Sequence, residues 1–401
     1  VLSFLNSLQS TVAQARKTAS GSQTQTHTCV ARVGVDFHVF DGKFQGSRSH
    51  LLGLYSEMVA LCPQYHFYFF LAQTQALARL PAFRRSNVSI VHMPHANPLR
   101  RLAWQLPQLK RQFQLDILHT QYMLPLGSSQ GSAVTIHDVL FEPFPEFFEP
   151  LFVLRSRLMM RWAARKADML FTVSEYSRQE ISKRYGIEHT RIGLLHNAVD
   201  QTQFFAGPQG QEHVTRRGLC CGAYFLTVGR IEPRKNHAAI LRAYAQLPGT
   251  PPPLVIVGQR DFGYADFEPA LRALPGTHRV HVLSDVDDQA LPALYRHALA
   301  LIYPSLAEGF GMPPLEGLAS GVPVITSRNT AIPEVMGDAG LLIDPTNITE
   351  LAQAMQQVRS DASLRASMVA KGIERACEFT WLKSAHSLAD AFARHLQAPG
   401  R

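Results

Sequence analysis

From Cys29 onward, short apolar runs alternate with amphipathic stretches. CVARVGVDFHVF, HFYFFLA, VSIVHMP, DILHTQY and AVTIHDV read as strands, interleaved with helical stretches QGSRSHLLGLYSEMVALC and LRRLAWQLPQLKRQF. A long basic helix over FEPLFVLRSRLMMRWAARKA follows, then strand DMLFTVSE, helix EYSRQEISKRYG and strand IGLLHNAVD. Strands this uniformly apolar are buried on both faces, as in a parallel sheet covered by helices. Residues 201–221 carry few apolar positions and read as a linker. The rhythm restarts with YFLTVGR and NHAAILRAYAQL. It runs through PLVIVGQ, FEPALRAL, RVHVLSDV, QALPALYRHA, ALIYPS and GLLIDP into helices from Thr349 to near Gln397. The expected fold is α/β, with two Rossmann-like doubly wound parallel-sheet domains facing a central cleft. Residues 1–28 form an N-terminal extension, 29–200 a first domain and 201–221 the linker. Residues 222–375 form a second domain, and 376–401 are terminal helices. In the extension, Leu2, Leu5, Leu8 and Val12 fit one helix face, and a frayed tail is the plainer reading.

Composition adds three points. At 401 residues, 46% hydrophobic and 17% charged, the chain has material for two cores. No apolar run reaches the roughly 18–20 residues of a membrane span, and the first segment lacks the pattern of a secretory leader. The net charge of +8 is uneven: residues 1–212 hold 21 Lys and Arg against 14 Asp and Glu, and the remainder is nearly neutral. A basic first half points to an anionic partner. Nucleic acid fits that charge, but no nucleic-acid motif appears, and a membrane surface or a phosphate-bearing lipid fits as well. Within 144–166, Arg157, Arg161 and Arg165 recur every four residues on one helix face, which suits either a plain solvated helix or anionic lipid. Five cysteines without C-x-x-C or His-linked spacing read as scattered thiols in a reducing compartment. The expected location is cytoplasmic, with peripheral contact at the inner face of a membrane.

Chemistry concentrates in residues 301–327, LIYPSLAEGFGMPPLEGLASGVPVITS. A strand runs into the turn Glu308-Gly309-Phe310-Gly311, and a helix starts at Pro313-Pro314 with Glu316 inside. Such a junction aims backbone N–H groups and a helix dipole at an anion. At a second strand end, VGRIEPRKNH sets Arg230 and Lys235 before a helix start near Asn236, a good diphosphate site. Asp285-Val286-Asp287-Asp288 contains a D-x-D pattern that elsewhere binds metal, but before a helix it reads as a cap. His137-Asp138 ends the strand AVTIHD. The loop FDGKFQGSRSH has one glycine, Gly46, before Ser47, with Lys43 and Arg48 as charges. His196-Asn197 ends a strand at the domain junction.

VGRIEPRKNH, then EGFGMPPLEGLASGVPVITS and IPEVMGDAGLLIDP, resemble the donor domain of retaining GT-B glycosyltransferases of family 4, which includes mannosyl- and rhamnosyltransferases. The resemblance is specific over 222–346 and weaker over 29–200 and around Phe379-Thr380-Trp381; it implies that 29–200 is acceptor-binding, that 222–375 is nucleotide-sugar donor-binding and that 376–401 cross back to the first domain. It implies that Arg230 and Lys235 neutralise the donor diphosphate in place of a metal. It also implies that Glu316 accepts from the ribose hydroxyls and that Glu308 holds the transferred sugar. Gly309, Phe310, Gly311 and Met312 would offer backbone N–H groups to the sugar, and Leu315 one to the phosphate or ribose. Asp285 and Val286 would line the base pocket. Gly46 and Ser47 would approach the diphosphate, Gly229 would flank Arg230, and His137 would sit beside the sugar. The catalytic set is then His137, Glu308, Arg230 and Lys235, with no metal and no cofactor. The implied reaction moves a hexose, with GDP-mannose ranked first, to a hydroxyl of a glycan or lipid-linked glycan. UDP- or dTDP-hexose, a GT-B-like epimerase and a non-catalytic sugar-nucleotide-binding subunit stay open.

Overall fold

A computed structural model describes residues 31–41, 46–95, 97–127, 130–260, 265–287 and 289–398. The expectations for residues 1–28, Lys43 and Asp288 lie outside the described residues. The first sheet comprises β1 (Ala31–Asp36), β2 (Tyr65–Leu71), β3 (Val88–His92), β4 (Ile117–Gln121), β5 (Ser132–Thr135), β6 (Met169–Thr172) and β7 (Ile192–Leu194), in the order β3-β2-β1-β4-β5-β6-β7. The second comprises β8 (Phe225–Val228), β9 (Leu254–Val257), β10 (Val280–Leu283), β11 (Ala300–Tyr303), β12 (Val324–Ser327) and β13 (Leu341–Ile343), in the order β10-β9-β8-β11-β12-β13. The pairings are parallel. The helices used below are α1 (Gly46–Leu61), α2 (Pro150–Lys166), α3 (Glu175–Tyr185), α4 (His237–Tyr244), α5 (Ala290–Arg296), α6 (Met312–Ala319), α7 (Ile348–Ser360), α8 (Ala362–Ala376) and α9 (Trp381–Gln397).

Each sheet reverses its strand order once, between β1 and β4 in the first and between β8 and β11 in the second. Strand carboxyl ends at such a reversal leave a crevice between diverging loops, where open α/β sheets bind ligands. The turns after β8 and β11 are the two stretches singled out by their charges. Helix α9 belongs to the first domain's core: Ala385, Leu388 and Phe392 are fully buried among β1, β2 and α1 residues. Its contact with α1 is close, since a Cβ placed on Gly53 would lie 2.1 Å from the Trp381 ring.

Three local expectations change. The first strand stops at Asp36, not Phe40: the Asp36 carboxylate accepts from the His38 backbone N–H and bends the chain into a 3-10 turn. LRRLAWQLPQLKRQF is helical but broken, with a π segment Arg101–Gln105 ahead of Leu106–Gln112. Pro107 supplies no N–H to the ladder at that joint. The segment 201–221 is bound to the second domain along its length. Val214 and Leu219 are buried in that core, and Arg296 donates to the carbonyls of Gln203, Phe205 and Gln209 at 2.7–2.9 Å.

Candidate active site

The turn after β11 builds the centre. Four fully apolar or aromatic positions, Ala300 to Tyr303, drive β11 through the sheet, and Pro304 ends it. Gly311 takes φ 113°, and a Cβ there would meet Ile332 at 2.7 Å, so only glycine fits before α6. Pro313 and Pro314 open the helix where N–H groups have no intrahelical partner. The Leu315 N–H is spent on the Gly311 carbonyl at 3.3 Å. Its predicted contact with phosphate or ribose is therefore in competition with the helix ladder.

Glu308 is 7% exposed and saturated with donors. Its Oε1 accepts from Lys235 Nζ (2.6 Å), Tyr303 Oη (2.7 Å) and Ser305 Oγ (2.6 Å). Its Oε2 faces the Arg234 guanidinium at 2.9 Å. A carboxylate oxygen has about two lone pairs, so any further donor must use Oε2. Burial pushes the Glu308 pKa up, but Arg234 and Lys235 outweigh it and hold the group down at about 2. Burial pulls Lys235 down, and Glu308 resists it.

Arg234 was missing from the sequence-derived set. It donates to the Ala307 carbonyl (2.8 Å) and to Glu232 (2.7 Å) as well as pairing with Glu308. The geometry follows from the 3-10 turn Pro233–Lys235, which brings adjacent residues onto the same carboxylate, and from Asn236 in the left-handed region at φ 61°. Asn236 ties this turn to the Pro304 and Pro345 carbonyls at 3.2 and 2.8 Å. Arg230 is separated from β8 by Gly229, at φ 146°, and is exposed. The cations contacting Glu308 are thus Arg234 and Lys235.

Glu316 sits one helical turn inside α6, where Tyr295 donates to its Oε2 at 2.7 Å. Burial lifts it to about 7, against the pull of Tyr295 and Lys235. Of the D-x-D stretch, Asp287 caps α5 through the N–H groups of Gln289 and Ala290 at 3.0 and 2.7 Å. Asp285 is exposed, and Val286 packs against the second core. Among the described residues no group of three or more His, Cys, Asp or Glu is arranged to hold a metal ion.

The first domain faces this cluster with His137 and Asp138, just after β5. His137 Nε2 lies 2.6 Å from Gln121 Oε1. A carbonyl oxygen only accepts, so Nε2 carries the proton. Burial, with His50 and His119 nearby, holds the imidazole neutral and leaves Nδ1 as an acceptor. Tyr122, at φ 63°, lays its ring 5.1 Å from that of His137. Asp138 accepts from the Leu140 N–H at 3.1 Å, and a Cβ on Gly309 would lie 2.6 Å from its Oδ2. Burial raises Asp138, with Glu308 adding to the effect and Arg234 opposing it. Gly46 opens α1 with free space around it, and Ser47 is buried. Asn197 meets His50 Nδ1 at 2.8 Å behind His137.

The two halves are held together by further contacts absent from the sequence reading. Ser174 and Ser177, at the start of α3, donate to the Gly309 carbonyl at 2.6 and 3.2 Å. Glu334 of the second domain accepts from the Glu175 N–H at 2.8 Å and the Tyr176 N–H at 3.3 Å, and His196 lies 3.1 Å away. Phe310 packs against His196 and Phe379 at this seam, so its side chain serves the junction.

Comparison with known proteins identifies the family and the fold. Residues 30–203 match the family described as Glycosyltransferase Family 4, and residues 222–375 match Glycosyl transferases group 1. The chain is 32% identical to the O-antigen chain mannosyltransferase B of Escherichia coli, over 76% of this chain and 80% of that protein. It is 28% identical to the Escherichia coli serotype-specific mannosyltransferase WbdA over 58% of this chain, but spans 29% of that longer protein. Its fold is similar to that of a sucrose-phosphate synthase from Thermosynechococcus elongatus, with a TM-score of 0.73, 18% identity, and coverage of 91% of this chain and 98% of the other. The chain belongs to glycosyltransferase family 4, and is a glycosyltransferase of the GT-B fold.

Proposed function

We propose that the enzyme transfers mannose from GDP-mannose to a hydroxyl of a glycan or lipid-linked glycan, with retention of anomeric configuration and without a metal. The observation that carries this reading is the set Glu308, Lys235 and Arg234 on one side of a glycine turn, with Glu316 on the other and His137 across the cleft. The mannosyltransferase relatives favour mannose among hexoses.

In this reading Glu316 accepts from the ribose hydroxyls, and Lys235 with Arg230 lies along the diphosphate. Glu308 Oε2 and the turn amides orient the sugar, and His137 Nδ1 accepts from one of its hydroxyls. The bond from the anomeric carbon to the phosphate oxygen breaks as the acceptor oxygen attacks the same face. The acceptor proton passes to that phosphate oxygen, and the cations stabilise the leaving nucleoside diphosphate. Arg234 acts on Glu308, keeping it ionised and in place.

The test is transfer by the purified protein, with nucleotide-induced thermal shifts alongside. GDP and GDP-mannose are expected to raise the melting temperature, EDTA to leave turnover intact, and NMR to find the product with the donor's anomeric configuration. Stabilisation by UDP or dTDP alone would replace the donor. An inverted product would overturn the retaining mechanism. Lys235→Ala is expected to lower turnover by about 100-fold or more; undiminished turnover would remove Lys235 from the chemistry.

A further inference from the structure

The helix α2 is apolar on the wrong side for a protein surrounded by water. Its inner face is Val153, Ser156, Met160, Ala163 and Ala164, all buried. On a 3.6-residue period the opposite face is led by Leu151, Leu154, Leu158 and Trp162. These are 77%, 56%, 64% and 38% exposed. Single exposed leucines are ordinary, but an apolar stripe running along three turns of one helix is not. Arg155 and Lys166 flank it on one side and Arg161 and Arg165 on the other, and α2 holds no acidic residue. Glu149 sits at the N-cap position, and the basic residues run from Arg155 to Lys166, so the positive charge gathers away from the amino end.

A unit packed against α2 also shows large apolar side chains to solvent. Met159 of α2 packs on the cluster containing Leu102 and Leu106. Close to those residues in the chain, Leu99 and Trp104 are 69% and 68% exposed. From Glu57 to Asp116 the intervening chain has seven Lys and Arg and no acidic residue.

We propose that this face docks the enzyme on an anionic lipid bilayer. Helix α2 would lie in the interface plane, its leucines and Trp162 below the headgroups and its arginines among the phosphates. The charge decides the occupant: a second copy would bring an equally positive face against it, whereas anionic headgroups complement it. The amino end of α2 leaves a loop whose Phe144 and Phe147 line a groove with Leu306 and Asn329 of the second domain. A bilayer on this face therefore lies beside the cleft mouth, where a lipid-linked acceptor would enter. That last step rests on the acceptor proposed above.

The test is co-sedimentation of the full chain with vesicles of phosphatidylcholine alone or with about a third phosphatidylglycerol, a strongly anionic surface. Binding is expected on the anionic vesicles and is expected to fall with added salt. Arg155→Gln with Arg161→Gln should weaken it about 25-fold, roughly five-fold per charge. Leu158→Gln with Trp162→Gln should weaken it by about ten-fold or more. Nucleotide-induced stabilisation, unchanged in both variants, certifies the fold. Wild-type protein left in the supernatant, or variants that bind like wild type, would overturn the proposal. So would a dimer lost in the Leu158 and Trp162 variant without any vesicle binding. Turnover on a water-soluble acceptor reads the reaction separately, so that failed docking with intact turnover sinks only the surface.

Discussion

Glu308 and Glu316 are the same residue type on one turn, held in opposite states. Two cations keep Glu308 ionised down to about pH 2, while burial with one hydroxyl donor leaves Glu316 near 7. An ionised carboxylate accepts from both ribose hydroxyls, whereas a protonated carboxyl turns one oxygen into a donor and accepts less well. Nucleoside diphosphate affinity is therefore expected to be roughly ten-fold weaker at pH 6 than at pH 8. Calorimetry should find this dependence in wild type and lose it in Glu316→Gln; a wild-type affinity flat over that range would refute the assignment. The stability sign is the reverse of the usual carboxylate. Folded Glu316 keeps a proton that the unfolded chain releases above about 4.5, so its contribution falls as pH rises from there to about 7. Tyr303 makes a second case: its hydroxyl donates to Glu308 Oε1 and accepts from Lys235 Nζ. Tyr303→Phe removes both bonds at a cost of about 2 kcal/mol. Turnover should drop roughly thirty-fold with the fold intact, and a change under two-fold would make the hydroxyl dispensable. The carboxylates and Lys235 were legible in the sequence, because charges on glycine turns after apolar strands have few structural reasons to be there. Arg234 was not, since the direction of adjacent side chains in a 3-10 turn depends on a left-handed Asn236. Tyr303 was hidden because its ring fits an apolar strand and only its hydroxyl reaches Glu308 and Lys235.

The elements follow the hydrophobic period closely, and departures arise where one side chain overrules it. The strands were legible because both faces of a parallel sheet demand apolar residues. The segment 201–221 read as a linker because few of its positions are apolar; Val214 and Leu219 are its main anchors, and Arg296 supplies the rest from a helix distant in sequence. The return of the terminal helices to the first domain was expected, but their pairing with α1 was illegible, since it joins residues more than 300 positions apart through Gly53. A Cβ at Gly53 would lie within 2.1 Å of Trp381. Gly53→Val is expected to lever α9 off α1 and to destabilise by about 1–3 kcal/mol, the usual range for overpacking. The check is the denaturation midpoint of Gly53→Val with and without Trp381→Ala. Recovery in the double variant is expected, and an equal loss in both would mean that the helix pair is not the cause.

At the scale of the molecule, the two domains meet through polar contacts that need both halves in register. Ser174 and Ser177 hold the Gly309 carbonyl, so the first domain grips the turn that carries Glu308. Glu334 reaches in the other direction and caps α3 through the Glu175 and Tyr176 N–H groups, with His196 beside it. A carboxylate at a helix amino end is favoured both by its hydrogen bonds and by the dipole. Glu334→Ala removes this tie while touching none of the residues around Glu308. Losing about 1–2 kcal/mol of closure energy would shift the open-to-closed ratio by roughly five- to thirty-fold. If the donor binds the closed arrangement, its apparent affinity falls only by the closed fraction lost, and turnover at saturation is retained. The expected outcome is a raised donor KM, a near-normal kcat, and a larger radius of gyration in X-ray scattering that contracts when nucleotide is added. Unchanged scattering with a lowered kcat would place Glu334 in the chemistry instead, and would mean that the grip on Gly309 suffices to close the cleft.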